Sequence, residues 1–277
     1  MLKQRVITAI ILLMVSLPAL FHPSPVWLGM LGMALIAAAA WEWGRLNGLT
    51  LKTALMLPAA CLVVFLGYWV ACSFQLLPPI FWLGCVALWC GAIVFFLKHG
   101  SASWQATPQV IRLVLGVILL ISTGMALLQA KLIGTAFLIS VLCLVWTADI
   151  AAYFVGRRWG KHKLAPTISP GKSIEGLSGA VVAVWLLAIV WTEASARSGL
   201  GNDHVFARLL VFGWPVFLAG LTLLTLTSAA GDLFESMIKR AAGAKDSSQL
   251  LPGHGGVLDR LDALLPVLPL AVLISMF

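Results

Sequence analysis

The sequence predicts an all-α polytopic membrane protein with about nine transmembrane helices. Three observations carry this. Of 277 residues, 61% are hydrophobic and only 10% are charged, and the mean hydropathy is +1.02. A soluble globular domain carries roughly 25% charged residues. Apolar runs of about 20 residues recur from end to end, each about long enough to cross a ~30 Å hydrocarbon core at ~1.5 Å per residue. Within these runs the residues are apolar on every face, whereas the strands of a membrane β-barrel would alternate polar and apolar side chains.

In order, the segments span 5–22, 26–44, 52–72, 78–97, 109–130, 132–155, 175–196, 206–230 and 257–276. The first follows MLKQR like a signal peptide, but no small-x-small cleavage site follows it. HPSP at 22–25 leads straight into the next span, so the first segment reads as an uncleaved helix. Pro78-Pro79 opens the fourth segment, and SGLGND at 198–203 separates the seventh from the eighth. The eighth runs on without a strong stop except Pro215. Continuous from Phe206 to Ala242 it would measure about 55 Å, so its second half should project into the cytoplasm or line a funnel. With no repeat and no low-complexity tract, residues 1–277 form one integral membrane domain. Residues 1–130 read mainly as scaffold helices and 140–277 as the catalytic half.

Basic residues set the orientation. With the N-terminus cytoplasmic, 15 of the 18 Lys and Arg fall inside and only Lys131, Arg197 and Arg208 outside. An odd number of spans then places the C-terminus on the outer side. The net charge of +8 is this sidedness. No compact basic domain carries a nucleic-acid footprint, so nucleic acid is excluded as a partner. Cys61, Cys72, Cys85, Cys90 and Cys143 lie in or beside apolar segments without metal-ligand spacing, and read as small buried hydrophobes.

Of ten acidic residues, only Glu42 precedes Trp146. Glu42 lies in WEWGR, three residues before Arg45, and a local ion pair at the interface accounts for it. An ionisable group inside a bilayer is costly and marks function, so the later acids point to the site. Asp149, Tyr153 and Gly156 share a helix face at i, i+4 and i+7. Asp149 either lines a cavity open to the cytoplasm or hydrogen-bonds between helices. The following GRRWGKHK serves as a positive-inside anchor that touches anionic headgroups. GKS at 171–173 is no Walker A motif, because Pro166 stands where its first glycine belongs and no strand precedes it. Ser173, with Glu175 behind it, starts a helix. That N-terminus with Lys172 forms either a phosphate cradle or an ordinary capped loop.

Farther on, Asp232, Glu235, Ser236 and Lys239 form one polar face, with a Glu235–Lys239 pair at its solvated end. LPGHGG then delivers Asp259, Arg260 and Asp262. Asp232 and Asp259, on successive helices joined by one loop, can converge as hard oxygen ligands suited to Mg²⁺ shared with substrate phosphates. An Asp–Arg–Asp capping network is the plainer alternative.

The stretch SMIKRAAGAKDSSQLLPGHGGVLDRLD, 236–262, closely resembles the signature of the phosphatidate cytidylyltransferases, the CDP-diglyceride synthases. The matching residues are Ser236, Lys239-Arg240, Lys245-Asp246, His254-Gly255-Gly256, Asp259-Arg260 and Asp262, without a gap. DIAAYFVGRRWGKHKLAPTISPGKSIEG, from Asp149, resembles the family's middle region, and the likeness covers about 149–262. It implies a Mg²⁺-dependent nucleotidyltransferase of the bacterial-type cytoplasmic (inner) membrane, with its site facing the cytoplasm. The implied reaction joins CTP and phosphatidic acid into CDP-diacylglycerol and pyrophosphate, and the implied assembly is a homodimer. It also implies Asp232 and Asp259 as ligands of two metal ions, the second Mg²⁺ or another cation. Lys172, Lys239, Arg240 and Arg260 become phosphate contacts, with Lys239 and Arg260 catalytic beside the two aspartates. Ser173, Glu175, Asp246 and His254 become nucleotide or supporting residues, and Ser236, Lys245, Asp262, Asp149 and Tyr153 further substrate-binding candidates. Two other readings stand beside it. A polyprenol or dolichol kinase would share the nucleotide but not the lipid. A secondary transporter would use Asp149 and Asp232 as ion sites, with no turnover.

Overall fold

A computed structural model describes residues 2–72, 75–198 and 203–277, without the side chains of 2, 3, 71 and 72. Most of the turn at 198–203 and the Cys72 side chain thus lie outside the described residues. Cys61, Cys85, Cys90 and Cys143 are free thiols, and Cys90 is exposed rather than buried.

Helices dominate because a chain crossing lipid must satisfy its backbone internally. Among the described residues, eight helices are long and apolar enough to cross a membrane. They are α1 (Leu2–Phe21), α2 (Val26–Leu46), α3 (Met56–Cys72), α4 (Pro79–Ala106), α5 (Gln109–Ile133), α6 (Thr135–Trp159), α7 (Ile174–Ser198) and α9 (Trp214–Ala241). The short α8 (Val205–Leu210) precedes α9, and α10 (Leu258–Leu261) and α11 (Leu264–Ile274) close the chain. Prolines and glycines punctuate as their backbone chemistry requires. Pro78 and Pro79 open α4, and Gly100 turns it sharply at φ +74°.

Two expectations change. The helix expected from 206 to 242 is broken: α8 ends at Leu210, and Gly213 at φ +88° restarts the chain as α9, with Pro215 in its first turn. The stretch 163–173 is a hairpin, β1 (Lys163–Ala165) antiparallel to β2 (Ser169–Ser173), with Lys163 opposite Ser173.

The ninth expected segment divides at Asp262-Ala263. Its longer part, α11, is only 11 residues and is buried from Leu264 to Leu273 among α4, α5 and α9. Pro269 cannot donate to the carbonyl of Leu265. Thr123 of α5 donates to that carbonyl at 2.8 Å, which removes an unsatisfied acceptor from the interior.

Polar ties mark the two ends of the bundle. Thr8 Oγ1 to the Pro252 carbonyl (2.9 Å), Trp43 Nε1 to the Arg112 carbonyl (2.9 Å) and Gln105 Nε2 to the Ala241 carbonyl (2.7 Å) bind one end. Lys131 Nζ to the Leu20 carbonyl (2.6 Å) and Arg208 Nη1 to the Ser275 carbonyl (2.9 Å) bind the other.

Beneath the first end an aromatic cluster fixes α9. Phe234 lies 5.8 Å from Trp104, 6.1 Å from Trp89 and 6.4 Å from Trp43, ring to ring. Such pairs contribute about 0.5–1.5 kcal/mol each beyond burial. At ~3.6 residues per turn, Asp232 falls nearly opposite Phe234, so anchoring the ring aims the carboxylate away from that core. On its other side α9 meets α7, and α7 packs against α6 through small residues. A Cβ at Gly179 would meet Val155 at 2.6 Å, and one at Gly176 would meet the Ala152 carbonyl at 2.8 Å.

Candidate active site

Asp232 lies nine residues before the end of α9, recessed by about 14 Å at the α-helical rise. Gly231 beside it lets α11 approach. A Cβ there would meet the Asp262 carbonyl at 2.6 Å and the Pro266 ring at 2.8 Å. The missing side chain is what brings Asp262 beside Asp232.

The hairpin delivers Lys172, whose Nζ lies 2.6 Å from Asp232 Oδ2. Ser236 Oγ, one turn on, donates to Asp232 Oδ1 at 3.3 Å. Two residues assigned to the nucleotide act here on the backbone. Ser173 is buried, and its Oγ accepts from Gly176 N at 3.1 Å as the cap of α7. Glu175 accepts from Lys161 N (3.1 Å) and His162 N (3.2 Å) and pairs with His162 Nδ1 (2.6 Å), closing the hairpin's base. Arg240 Nε reaches the Ile168 carbonyl at the hairpin turn at 3.4 Å. These contacts set the height and direction of Lys172.

The second half of the site is the loop between α9 and α10. Gly243, at φ +67°, ends α9. Leu251 pairs with Gly255 across a tight turn whose Gly253 and Gly255 take positive φ. Arg260 clamps this turn by donating Nη2 and Nε to the His254 carbonyl at 2.7 and 3.0 Å. Asp259 is heavily bonded on one oxygen: Ser247 N (2.9 Å), Ser247 Oγ (3.0 Å) and Gly256 N (2.8 Å) donate to Oδ2, while Lys239 Nζ lies 2.6 Å from Oδ1. Burial alone would raise the Asp259 pKa, but these hydrogen bonds and the Lys239 charge outweigh it and hold the carboxyl below its ordinary value. Asp262 shows the opposite balance. Burial and then the charge of Asp232 push it up to about 7, with Asp149 adding to the rise and Lys239 opposing it. Asp149, Asp232 and Asp262 therefore share one field.

The structure thus joins Asp232 to Lys172 and Ser236, and Asp259 to Lys239, with Asp262 and Asp149 in the same electrostatic neighbourhood. Tyr153 is exposed and accepts from Arg157 Nη1 at 3.0 Å rather than meeting the carboxylates. Arg240, Lys245 and Asp246 are exposed at the rim. His254 has a buried Nδ1 without a hydrogen-bond partner.

Two site residues, Ser247 and Ser248, escape sequence reasoning, and two more, Glu42 and Glu235, are misplaced by it. The expected Glu42–Arg45 pair does not form, since Arg45 donates to the Leu49 carbonyl at 3.0 Å. Glu42 is fully buried and accepts four hydrogen bonds from the loop. Glu235 does pair with Lys239, as its spacing suggests, but inside the protein rather than in solvent, at 1% side-chain exposure. The one signal in the sequence was that Glu42 is the lone acid in the first 145 residues.

Among the described residues, no three His, Cys, Asp or Glu side chains form a set that holds a metal unaided. The donor chemistry instead suits a hard cation shared with phosphate oxygens. Asp232 keeps lone pairs beyond one lysine and one long serine bond, and among the described residues Asp262 accepts only Ala263 N, at 2.8 Å. Both carboxylates assigned to metal by resemblance already hold an ammonium at 2.6 Å, so both accept cations.

Membrane-length helices thus surround paired lysines and carboxylates, an arrangement whose charges suit anionic substrates and the cations that accompany them. The chain matches the cytidylyltransferase family over residues 3–277 and belongs to it. It is 37% identical over 276 residues to the phosphatidate cytidylyltransferase of Pseudomonas aeruginosa, covering 97% of this chain and 95% of that one. The phosphatidate cytidylyltransferase of Haemophilus influenzae is 33% identical over 289 residues, covering 97% and 96%. That of Bacillus subtilis is 38% identical over 145 residues, covering 52% and 49%.

Proposed function

We infer that the protein transfers the cytidylyl group of CTP to phosphatidic acid, releasing pyrophosphate and leaving CDP-diacylglycerol in the membrane. The observation that carries this reading is the pair of lysine-held carboxylates, Lys172–Asp232 and Lys239–Asp259, beside Asp262 at one end of the bundle. In this reading that end faces the cytoplasm, the N-terminus lies inside, and α11 makes a ninth pass that brings the C-terminus outside. The distribution of basic residues supports it. The protein belongs to a bacterial-type inner membrane and works as a homodimer, as the family resemblance implies.

An oxygen of the lipid phosphate attacks the α-phosphorus of CTP, and the bond to the bridging oxygen breaks with its electron pair leaving on pyrophosphate. Both reactants are anions, so positioning and charge neutralisation dominate. Asp232 and Asp259, with Asp262 adjacent, would hold the metal ions, which would supply neutralisation of the charge on the phosphates. Lys172 exchanges its aspartate partner for phosphate oxygens, while Lys239 keeps Asp259 and turns its remaining N–H to them. Arg240 and Lys245 meet the outer phosphates from the rim, and Arg260 keeps the His254 turn in place. An apolar cleft of about 170 Å³, lined by Trp89, Cys90, Leu226, Ala230 and Pro266, opens between α4, α9 and α11 on the face of α9 that carries Phe234.

The test is purified protein in detergent with phosphatidic acid, labelled CTP and Mg²⁺, following both products. Product that disappears with EDTA and with Asp232→Asn supports the reading. Product from a polyprenol in place of phosphatidic acid makes it a kinase. A folded protein silent on every lipid, yet moving ions in vesicles, makes it a transporter.

A further inference from the structure

Glu42 is a carboxylate with no exposed surface, on a helix otherwise apolar for most of its length. Its partners lie more than 200 residues away in the chain. Oε1 accepts from Ser248 Oγ (2.5 Å) and Val257 N (2.9 Å). Oε2 accepts from Ser247 Oγ (3.1 Å) and Leu258 N (2.6 Å). Each oxygen therefore holds one serine hydroxyl and one backbone N–H. The two N–H groups belong to the N-cap and first residue of α10, the helix that carries Asp259. Among the described residues no basic side chain pairs with Glu42, and its partners are all neutral donors.

Ser247 then links the buried acid to the site. Its Oγ lies 3.1 Å from Glu42 Oε2 and 3.0 Å from Asp259 Oδ2. A hydroxyl has one proton, so it donates to one carboxylate at a time. Gly256 has no side chain because a Cβ there would strike Ser247 Oγ and the Glu42 carboxylate. The loop is closed around this carboxylate from both ends, at 247–248 and at 256–258.

We propose that Glu42 is a positioning residue for the transfer reaction: it gathers segment 247–258 so that Asp259 is held at its working position. The proposal rests on the reading of Asp259 as a working residue of the site. It goes beyond that reading in assigning a role to a residue of α2, in the half of the chain expected to be scaffold.

The chemistry of the clamp sets the test. In Glu42→Gln the amide nitrogen must face either Val257 N–H or Leu258 N–H whichever way the side chain turns, and both are fixed donors. Glu42→Asp is shorter but keeps two acceptors. A packing role ranks the isosteric glutamine above aspartate, and a positioning role ranks aspartate above glutamine. We expect turnover to follow Glu, then Asp, then Gln, with Glu42→Gln about 100-fold down, as for a misplacement of about 1 Å. The half-saturating Mg²⁺ concentration should rise with it. Independently of turnover, hydrogen exchange of residues 247–258 in the detergent-solubilised protein should quicken in Glu42→Gln, with the transmembrane helices unchanged. Should Glu42→Gln not fold, Ser247→Ala and Ser248→Ala each remove one donor, and should quicken the same segment and lower turnover.

Glutamine equal to or better than aspartate, or loop exchange unmoved in a folded variant, overturns the proposal. A wild-type protein silent on CTP and phosphatidic acid would defeat the functional reading instead. The exchange comparison would still decide whether Glu42 holds the loop.

Discussion

Two lysine–aspartate pairs stand in this site at the same 2.6 Å separation, and their surroundings could hardly differ more. At Lys172–Asp232 the side chains keep 25% and 30% of their exposure, and among the described residues one serine at 3.3 Å is the only other side-chain donor to Asp232. At Lys239–Asp259 they keep 12% and 6%, and three further hydrogen bonds bind the carboxylate. The first pair is open and free to change partners. The second is built into the loop that carries it. Equal distances thus conceal unequal roles, because the cost of breaking an ion pair depends on what is left buried afterwards.

The largest expected effect separates the two. Asp232→Asn and Asp259→Asn should each lower turnover by about 10³-fold, the scale of losing one preorganised charge at a reacting centre. Their stabilities should diverge. Asp232→Asn frees a lysine that can turn to water, a change within about 1 kcal/mol for a partly exposed pair. Asp259→Asn leaves buried Lys239 with Glu235 as its remaining carboxylate and sets an amide among the loop donors that Asp259 accepted, and should cost about 1–3 kcal/mol. Thermal unfolding in detergent reads the difference, and equal shifts for the two variants would erase the distinction.

Next in size is Gly231→Ala, which acts on the open side alone. The new methyl meets the Asp262 carbonyl and the Pro266 ring. It should force α11 from α9, cost about 1–3 kcal/mol as overpacking does, and lower turnover by about 100-fold. Gly84→Ala is the control, since a Cβ there meets nothing within 4 Å. A Gly231→Ala protein as active as Gly84→Ala would show that Asp262 need not sit beside Asp232.

These contrasts also mark what was legible in the sequence. Lipid permits few backbone solutions, so the eight long helices follow from apolar length alone, and local breakers set most of their ends. Lys172, Asp232, Lys239 and Asp259 stood out because charge is rare in such a chain. The break at Val211–Gly213 was missed because its flanks, Val211, Phe212 and Trp214, are as apolar as a helix interior. The hairpin was missed because KLA and SPGKS have neither β-branched alternation nor length. Glu42 was misread for a deeper reason. Sequence offered Arg45 at i+3, while the true partners stand in a loop brought near only by the tertiary fold.

The smallest effect is a slope with pH, and it too divides the site. Asp262, on the open side, keeps its proton in the folded protein up to about 7, chiefly through burial and then the charge of Asp232. In the unfolded chain an aspartate loses its proton near pH ~4. Between those values the folded state binds a proton that the unfolded state has released, so stability must fall as pH rises across the window. Asp259 has the reverse shift, and its contribution is complete above the ordinary carboxylate range and lost only in stronger acid. It adds no slope between pH ~5 and ~7. The metal-free wild type should therefore lose thermal stability from pH ~5 to ~7 relative to Asp262→Asn, which has no proton to release. Saturating Mg²⁺ should flatten the wild-type slope, because a cation favours the charged carboxylate. Parallel curves for wild type and Asp262→Asn would mean that Asp262 is already ionised, and that the open half of the site carries less crowded negative charge than its geometry indicates.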